Sequence, residues 1–148
     1  MTIRDILAVK GAYVHSTTPS ETLQRVVEVL VENNCGSLIV YDSPQSTRMV
    51  GIITERDIMR ACAAGKSLHD TKVSDVMSRN VVTGTAEDSV ADTMGLMTRR
   101  RVRHLPVLQG HHLAGVISIG DVVKAQHDSL SAENHHLKSY IHDSGIFA

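Results

Sequence analysis

Aromatic residues make up 3% of this 148-residue chain, with no Trp and one Phe. The core must therefore be built from Val, Ile, Leu, Met and Ala, and the stacking platforms of a single-strand nucleic-acid binder are missing. The two cysteines, Cys35 and Cys62, form no CxxC pair and no disulfide framework, so both read as small apolar residues. Charge of one sign is not in excess: 15 Lys+Arg against 16 Asp+Glu give a net charge of -1. No global field draws the chain to nucleic acid or to an anionic membrane, and any partner must be recognised by a local site. No apolar run approaches the roughly 20 residues that cross a bilayer. The start "MTIRDILAVKG" has neither the apolar core nor the cleavage site of a signal peptide, so the expected location is cytoplasmic. Catalytic signatures are absent too: there is no GxSxG elbow, no P-loop, no GxGxxG opening a helix and no HExxH. Nine histidines raise the question of a metal. The pairs His111-His112 and His135-His136 are adjacent in sequence, so their side chains diverge, and no metal site is expected.

What the sequence does contain is a repeat. "VHSTTPSETLQRVVEVLVENNCGSLIV" (14–40) lies over "VVTGTAEDSVADTMGLMTRRRVRHLPV" (81–107), 67 positions on, and "GIITERDIMRA" (51–61) over "GVISIGDVVKA" (115–125), 64 positions on. The difference falls in the connecting turn, where length changes are tolerated. In the first unit Thr18-Pro19-Ser20-Glu21 offers a helix start, followed by Leu23, Val26, Val27, Leu30 and Val31 at helical spacing as far as Asn33-Asn34. "SLIVY" and "MVGIIT" flank turn-forming "DSPQSTR" as a hairpin, and a helix follows from Glu55 to a cap at Gly65. The second unit predicts a helix over 86–99, strands "HLPVL" and "LAGVIS" about the turn "QGHH", and a helix from Ile119. Short helices are expected in "RDILAVK" and "KVSDVMSR". Neither half carries enough strand to close a core alone. The expectation is an α/β fold of two tandem β-α-β-β-α units packed with pseudo-twofold symmetry. Unit one would span 10–67, unit two 76–132 and a helical tail 133–148, with Val123, Leu130, Leu137 and Ile141 on one side, as a dimer contact or folded back on the body.

Four T/S-x-x-D/E boxes fall at predicted helix starts: Thr18/Glu21, Thr54/Asp57, Thr85/Asp88 and Ser118/Asp121. By itself such a box is a helix cap. The boxes at Thr54 and Ser118 differ in following a glycine and an apolar strand end. The glycine lets another group approach the backbone, the helix start offers free N–H groups to a phosphate, and a carboxylate at that turn can accept the hydroxyls of a ribose.

With the β-α-β-β-α unit, "GIITERDI", "GVISIGDV", "HLPV" and the linking "VSDVMSRNVVT", the chain resembles the cystathionine β-synthase-type (CBS) domain family from Ile3 to Gln126. The resemblance implies a stand-alone pair of units that senses an adenosine-containing ligand (AMP, ADP, ATP, NAD or S-adenosylmethionine) in the cleft between them. It implies signalling through a homodimer to an unidentified regulated protein. It makes Asp57 and Asp121 ribose ligands with Thr54 and Ser118 beside them. Ser16, Thr18, Thr83 and Thr85 would supply polar contacts to the adenine, and Leu38, Ile52, Leu105, Pro106 and Ile117 would wall it. Arg56, Arg103 and His104 are expected to converge on phosphates. Since Gly36-Ser37 and Gly120 stand at the matching positions, the two sites should be unequal. An acid/base role for the two aspartates is disfavoured by their equivalence, because such catalysis needs environments that separate the two pKa values. The competing reading is a nucleic-acid patch at Arg99 to His104, set against a short run without aromatics.

Overall fold

The β-branched runs of both units form strands, and both phrases containing the repeated aspartate start helices. The computed structural model describes residues 1–143. The chain runs α1 (Ile3–Lys10), β1 (Ser16–Thr17), α2 (Leu23–Glu32), β2 (Ser37–Tyr41), β3 (Met49–Thr54) and α3 (Glu55–Ala63). It continues through α4 (Val73–Val76), β4 (Gly84–Thr85), α5 (Val90–Arg100), β5 (His104–Gln109), β6 (His112–Ser118) and α6 (Ile119–Asp143). Two three-stranded sheets result, ordered β1-β2-β3 and β4-β5-β6, each with one parallel pair and one antiparallel hairpin. Val40 opposes Gly51 and Val107 opposes Gly115, and the register slips immediately afterwards in both hairpins. A shared irregularity at the same step shows that the sequence repeat is also a structural one.

Each unit has its own apolar cluster, completed by a helix from elsewhere in the chain. Leu23, Val26, Leu38, Val40 and Ile53 of the first unit pack with Val73 and Met77 of α4 and its end. Val90, Met97, Leu105, Val107 and Ile117 of the second unit pack with Ile3 and Ile6 of α1. The helix that precedes each unit in sequence thus serves the other one, and the two cannot separate without opening both clusters. The repeated glycines make this possible. A Cβ on Gly51 would lie 2.7 Å from the Ser78 carbonyl oxygen, and one on Gly115 would lie 2.8 Å from Leu7 Cδ2. The obstacle is backbone at Gly51 and the tip of a packed leucine at Gly115, so the group that approaches each glycine is the crossing segment rather than a ligand.

The same crossing corrects the predicted helix starts. α2 begins after Thr22, whose side chain accepts from the Arg25 amide at 3.2 Å, and α5 after Ser89, which accepts from Asp92 at 3.0 Å. The chain cannot begin its helix at Thr18 or Ala86, because the carbonyls there are already used. Pro19 and Glu21 accept from Ser74 and Val73, and Ala86 and Asp88 accept from Arg4 and Ile3. Thr85/Asp88 is a real hydrogen-bonded pair, with the Thr85 amide 2.9 Å from Asp88 Oδ2, but it closes a turn. The first-unit helix otherwise ends as expected at Asn33, and α3 stops at Ala64 with Gly65 at φ 77.

α6 does not fold back. Only its first turns pack, burying Val122, while Val123, Leu130 and Leu137 are 52%, 63% and 51% exposed. Residues 144–148 of the expected tail lie outside the described residues. No helix among the described residues is long and apolar enough to cross a membrane.

Candidate functional site

The ends of β3 and β6 each deliver a short polar residue and an aspartate to the start of a helix. At the first, Asp57 Oδ2 accepts from the Thr54 amide at 2.9 Å and from Thr54 Oγ1 at 3.3 Å. At the second, Asp121 Oδ2 accepts from the Ser118 amide at 2.8 Å, and the Asp121 amide donates to Ser118 Oγ at 3.1 Å. Both are capping boxes, as the spacing predicts. The first amides of both helix starts are already used within the chain, however. Besides the Thr54 amide, the Glu55 amide is spent on the Gly36 carbonyl at 3.0 Å, and the Ile119 amide on that of Arg103 at 2.8 Å. Full positive charge for a phosphate comes from side chains.

Around the first box lies a cleft of about 640 Å³ built from both units. Its lining joins Ile52, Thr54, Arg56 and Asp57 to the linker residues Asn80, Val81 and Val82 and to Arg103 and His104 of the second unit. Arg60, Arg100 and Arg101 also line it. Arg100 and Arg101 belong to the Arg99 to His104 cluster, and the fold that turns that end of α5 toward α3 has no local signal in the sequence. Among the described residues no hydrogen bond reaches Asp57 Oδ1, which remains available to a ligand.

The second box is differently placed. Lys10, at the end of α1, donates to Asp121 Oδ2 at 2.6 Å and to the Val116 carbonyl at 2.8 Å. The matching carbonyl of the first unit, Ile52, accepts instead from the Ser78 amide at 2.9 Å. The difference follows from helix length: α4 has 4 residues and stops short, whereas α1 has 8 and its last residue, Lys10, reaches Asp121 and the Val116 carbonyl. Burial raises the Asp121 pKa, but the hydrogen bond from Lys10 and the contact with Ser118 outweigh it and hold the carboxyl below its ordinary 3.8.

Several residues expected at the adenine lie elsewhere. Leu38, Leu105 and Ile117 are fully buried in the two clusters and line no part of the cleft, and Pro106 is buried in β5. Ser16 and Thr18 line a separate hollow of about 380 Å³ with Arg25 and Tyr41. Thr83 and Thr85 stand outside the lining of the large cleft. Of the expected set, the structure brings Thr54, Asp57, Arg56, Arg103, His104 and Ile52 together. Among the described residues no group of three His, Cys, Asp or Glu side chains could hold a metal ion.

His104 packs across the unit boundary, where a Cβ on Gly36 would lie 2.8 Å from its Nε2. Burial lowers its pKa below the ordinary 6.5, with Lys10 and Arg103 acting in the same direction against Glu55 and Asp121. The ring is therefore neutral at neutral pH and brings no charge to a phosphate, unlike the arginines beside it.

A tandem α/β pair whose two β-α junctions each carry Thr or Ser together with Asp defines the class: a paired β-α-β-β-α repeat. The CBS domain family model matches residues 3–64 and 73–128, and the chain belongs to that family as a CBS-domain pair. It is 35% identical to the mitochondrial CBS domain-containing protein CBSX3 of Arabidopsis thaliana over 147 residues, 95% of this chain and 71% of that one. It superposes on the CBS-domain protein Atu1752 of Agrobacterium tumefaciens with TM-score 0.80 and 35% identity, covering 85% of this chain and 99% of that one. A CBS domain protein of Pyrobaculum aerophilum, solved in complex with AMP, matches with TM-score 0.72 and 26% identity over 82% of this chain and 89% of that one.

The direction of the His104 shift sets a pH dependence. The unfolded chain protonates this ring more readily, so its contribution to stability is intact above pH 6.5 and is lost as pH falls through the lower folded value. Denaturant unfolding at a series of pH values from about 7 to about 5 should show a shallower loss for His104→Gln than for the wild type. Equal slopes would contradict the assignment.

Proposed function

We propose that this CBS-domain pair is a regulatory module that binds one adenine nucleotide per chain, in the cleft at Asp57. The observation that carries the reading is the β3-α3 junction, where Asp57 keeps Oδ1 free beside Thr54 in a cleft lined by arginines. A carboxylate so placed accepts ribose hydroxyls, as acidic residues do in dinucleotide folds. Ile52, Val81 and Val82 offer an apolar wall to the adenine, and Arg56 and Arg103 lie where a phosphate would be neutralised. The AMP complex of the Pyrobaculum protein supports the adenosine class. Because the cleft draws its walls from both units, a ligand there favours one arrangement of the pair in proportion to its differential affinity, and a regulated partner protein can read the outcome.

The second junction carries the same residue types, but Lys10 already occupies its carboxylate. A nucleotide entering there meets a carboxylate already paired with an ammonium that also holds the Val116 carbonyl, which makes the two junctions unequal. Calorimetric titration with AMP, ADP, ATP and NAD should therefore give one site per chain. Asp57→Ala should abolish binding, Asp121→Ala should retain it, and Lys10→Met should raise the stoichiometry toward two. No binding by any of the four, or full binding by Asp57→Ala, would sink the proposal.

The homodimer is assigned to α6. Val123, Leu130 and Leu137 recur at seven-residue intervals on the exposed side of a helix about 37 Å long, one apolar stripe along its length. A second copy is the occupant this spacing fits, since the stripe is complementary to itself. Sedimentation equilibrium should give a dimer for the wild type and a monomer for Leu130→Glu/Leu137→Glu. A wild-type monomer at high concentration, or a dimeric variant, would contradict it.

A further inference from the structure

Each cleft serves as a control for the other. Arg56, Arg60, Arg100, Arg101 and Arg103 line the cleft at Asp57, whereas the matching positions of the Asp121 side hold Gly120, Lys124, Asn33, Asn34 and Gly36. Five cations therefore face one cleft where the repeat supplies a single cation at the other. No ion pair engages any of the five among the described residues, and Glu55 and Asp57 are the only acids in the lining. The C-terminal end of α5 favours cations and accounts in part for Arg100 and Arg101. It does not account for Arg56 and Arg60 on α3 or for Arg103 at the start of β5, which come to the same cleft from two other elements.

The backbone gives a second, independent sign. Arg101 stands in the left-handed region at φ 55, and its match Asn34 at φ 48. Asparagine is at home in that region, whereas arginine adopts it at a cost. An unfavourable residue is thus kept at the mouth of the cleft where a favourable one serves the other unit, and strain of this kind collects at ligand sites.

Resting on the reading of Asp57 as the ribose ligand, we infer that the cleft selects adenosine ligands carrying a chain of two or more phosphates. A single phosphate is fully engaged by one or two guanidinium forks, so five of them converging on one cleft match a longer polyanion. The sulfonium of S-adenosylmethionine, with no phosphate and a positive charge, is the ligand type this lining repels. The arginines ring a concave site that includes a carboxylate, which fits a small ligand with one ribose rather than the continuous phosphate backbone of a nucleic acid.

Equilibrium binding of AMP, ADP and ATP to the full chain tests this. Affinity should rise with each phosphate, ATP should bind about tenfold or more tighter than AMP, and the ATP affinity should be the more sensitive to salt. Arg60→Gln/Arg101→Asn should erase most of the ATP preference. Asn is the residue the other unit already carries at the left-handed position, and a thermal melt verifies that the variant folds. Equal affinities for AMP and ATP would overturn the polyphosphate inference while leaving the nucleotide cleft intact, as would a preference that survives in the variant. Displacement of bound ATP by a short single-stranded RNA at equal phosphate concentration would assign the arginines to nucleic acid and overturn it too. Binding of none of the three would overturn both readings.

Discussion

The crossed packing of α1 and α4 onto glycine-bearing edge strands is the contact on which the rest depends. β3 and β6 are the outer strands of their sheets, and each has a glycine where a helix from the other side of the chain presses in. That approach closes both apolar clusters and binds the two units into one body. It also uses the carbonyls of residues 19, 21, 86 and 88, which moves the starts of α2 and α5. A side chain at Gly51 or Gly115 would displace a backbone carbonyl or a packed leucine, the overpacking that a dense interior accommodates poorly.

From this shared device the two clefts diverge through a small difference in helix length. α4 stops after one turn and leaves the Asp57 carboxylate facing open space, while α1 runs on and sets an ammonium on Asp121. Lys10 is a tethered cation held where a ligand's hydroxyls would otherwise bind. Repetition of the hairpin register therefore coexists with different local electrostatics: a carboxylate with one oxygen unbonded in an arginine-lined cleft on one side, and one paired with Lys10 on the other. The bulk charge of -1 conceals this, because recognition here depends on a few groups at one cleft.

What was legible in the sequence was what local patterning determines. The hairpins, the helix from Glu55, the helix from Ile119 and the short helices at 3–10 and 73–76 follow from apolar periodicity and turn chemistry. The Thr54/Asp57 and Ser118/Asp121 boxes were readable as well. What local patterning did not show shares one cause, which is contact between segments far apart in sequence. Thr18 looked like a helix cap because nothing local shows that the carbonyls of Pro19 and Glu21 bond to α4. Gly51 looked like a ligand's entry point because Met77 and Ser78 could not be seen beside it. Leu38, Leu105 and Ile117 were expected at an adenine because alternation along a strand does not say which face carries the core. Arg60 gave no signal at all, whereas comparing α1 with α4 residue by residue exposes the extra turn that carries Lys10.

The central claim is that one repeat binds and the other is occupied by the chain itself, and a crystal structure grown with ADP tests it most directly. The account predicts the ribose hydroxyls on Asp57, the diphosphate among the arginines of the same cleft, and Lys10 still bonded to Asp121. A nucleotide seated on Asp121 with Lys10 displaced, and the Asp57 cleft empty, would contradict it.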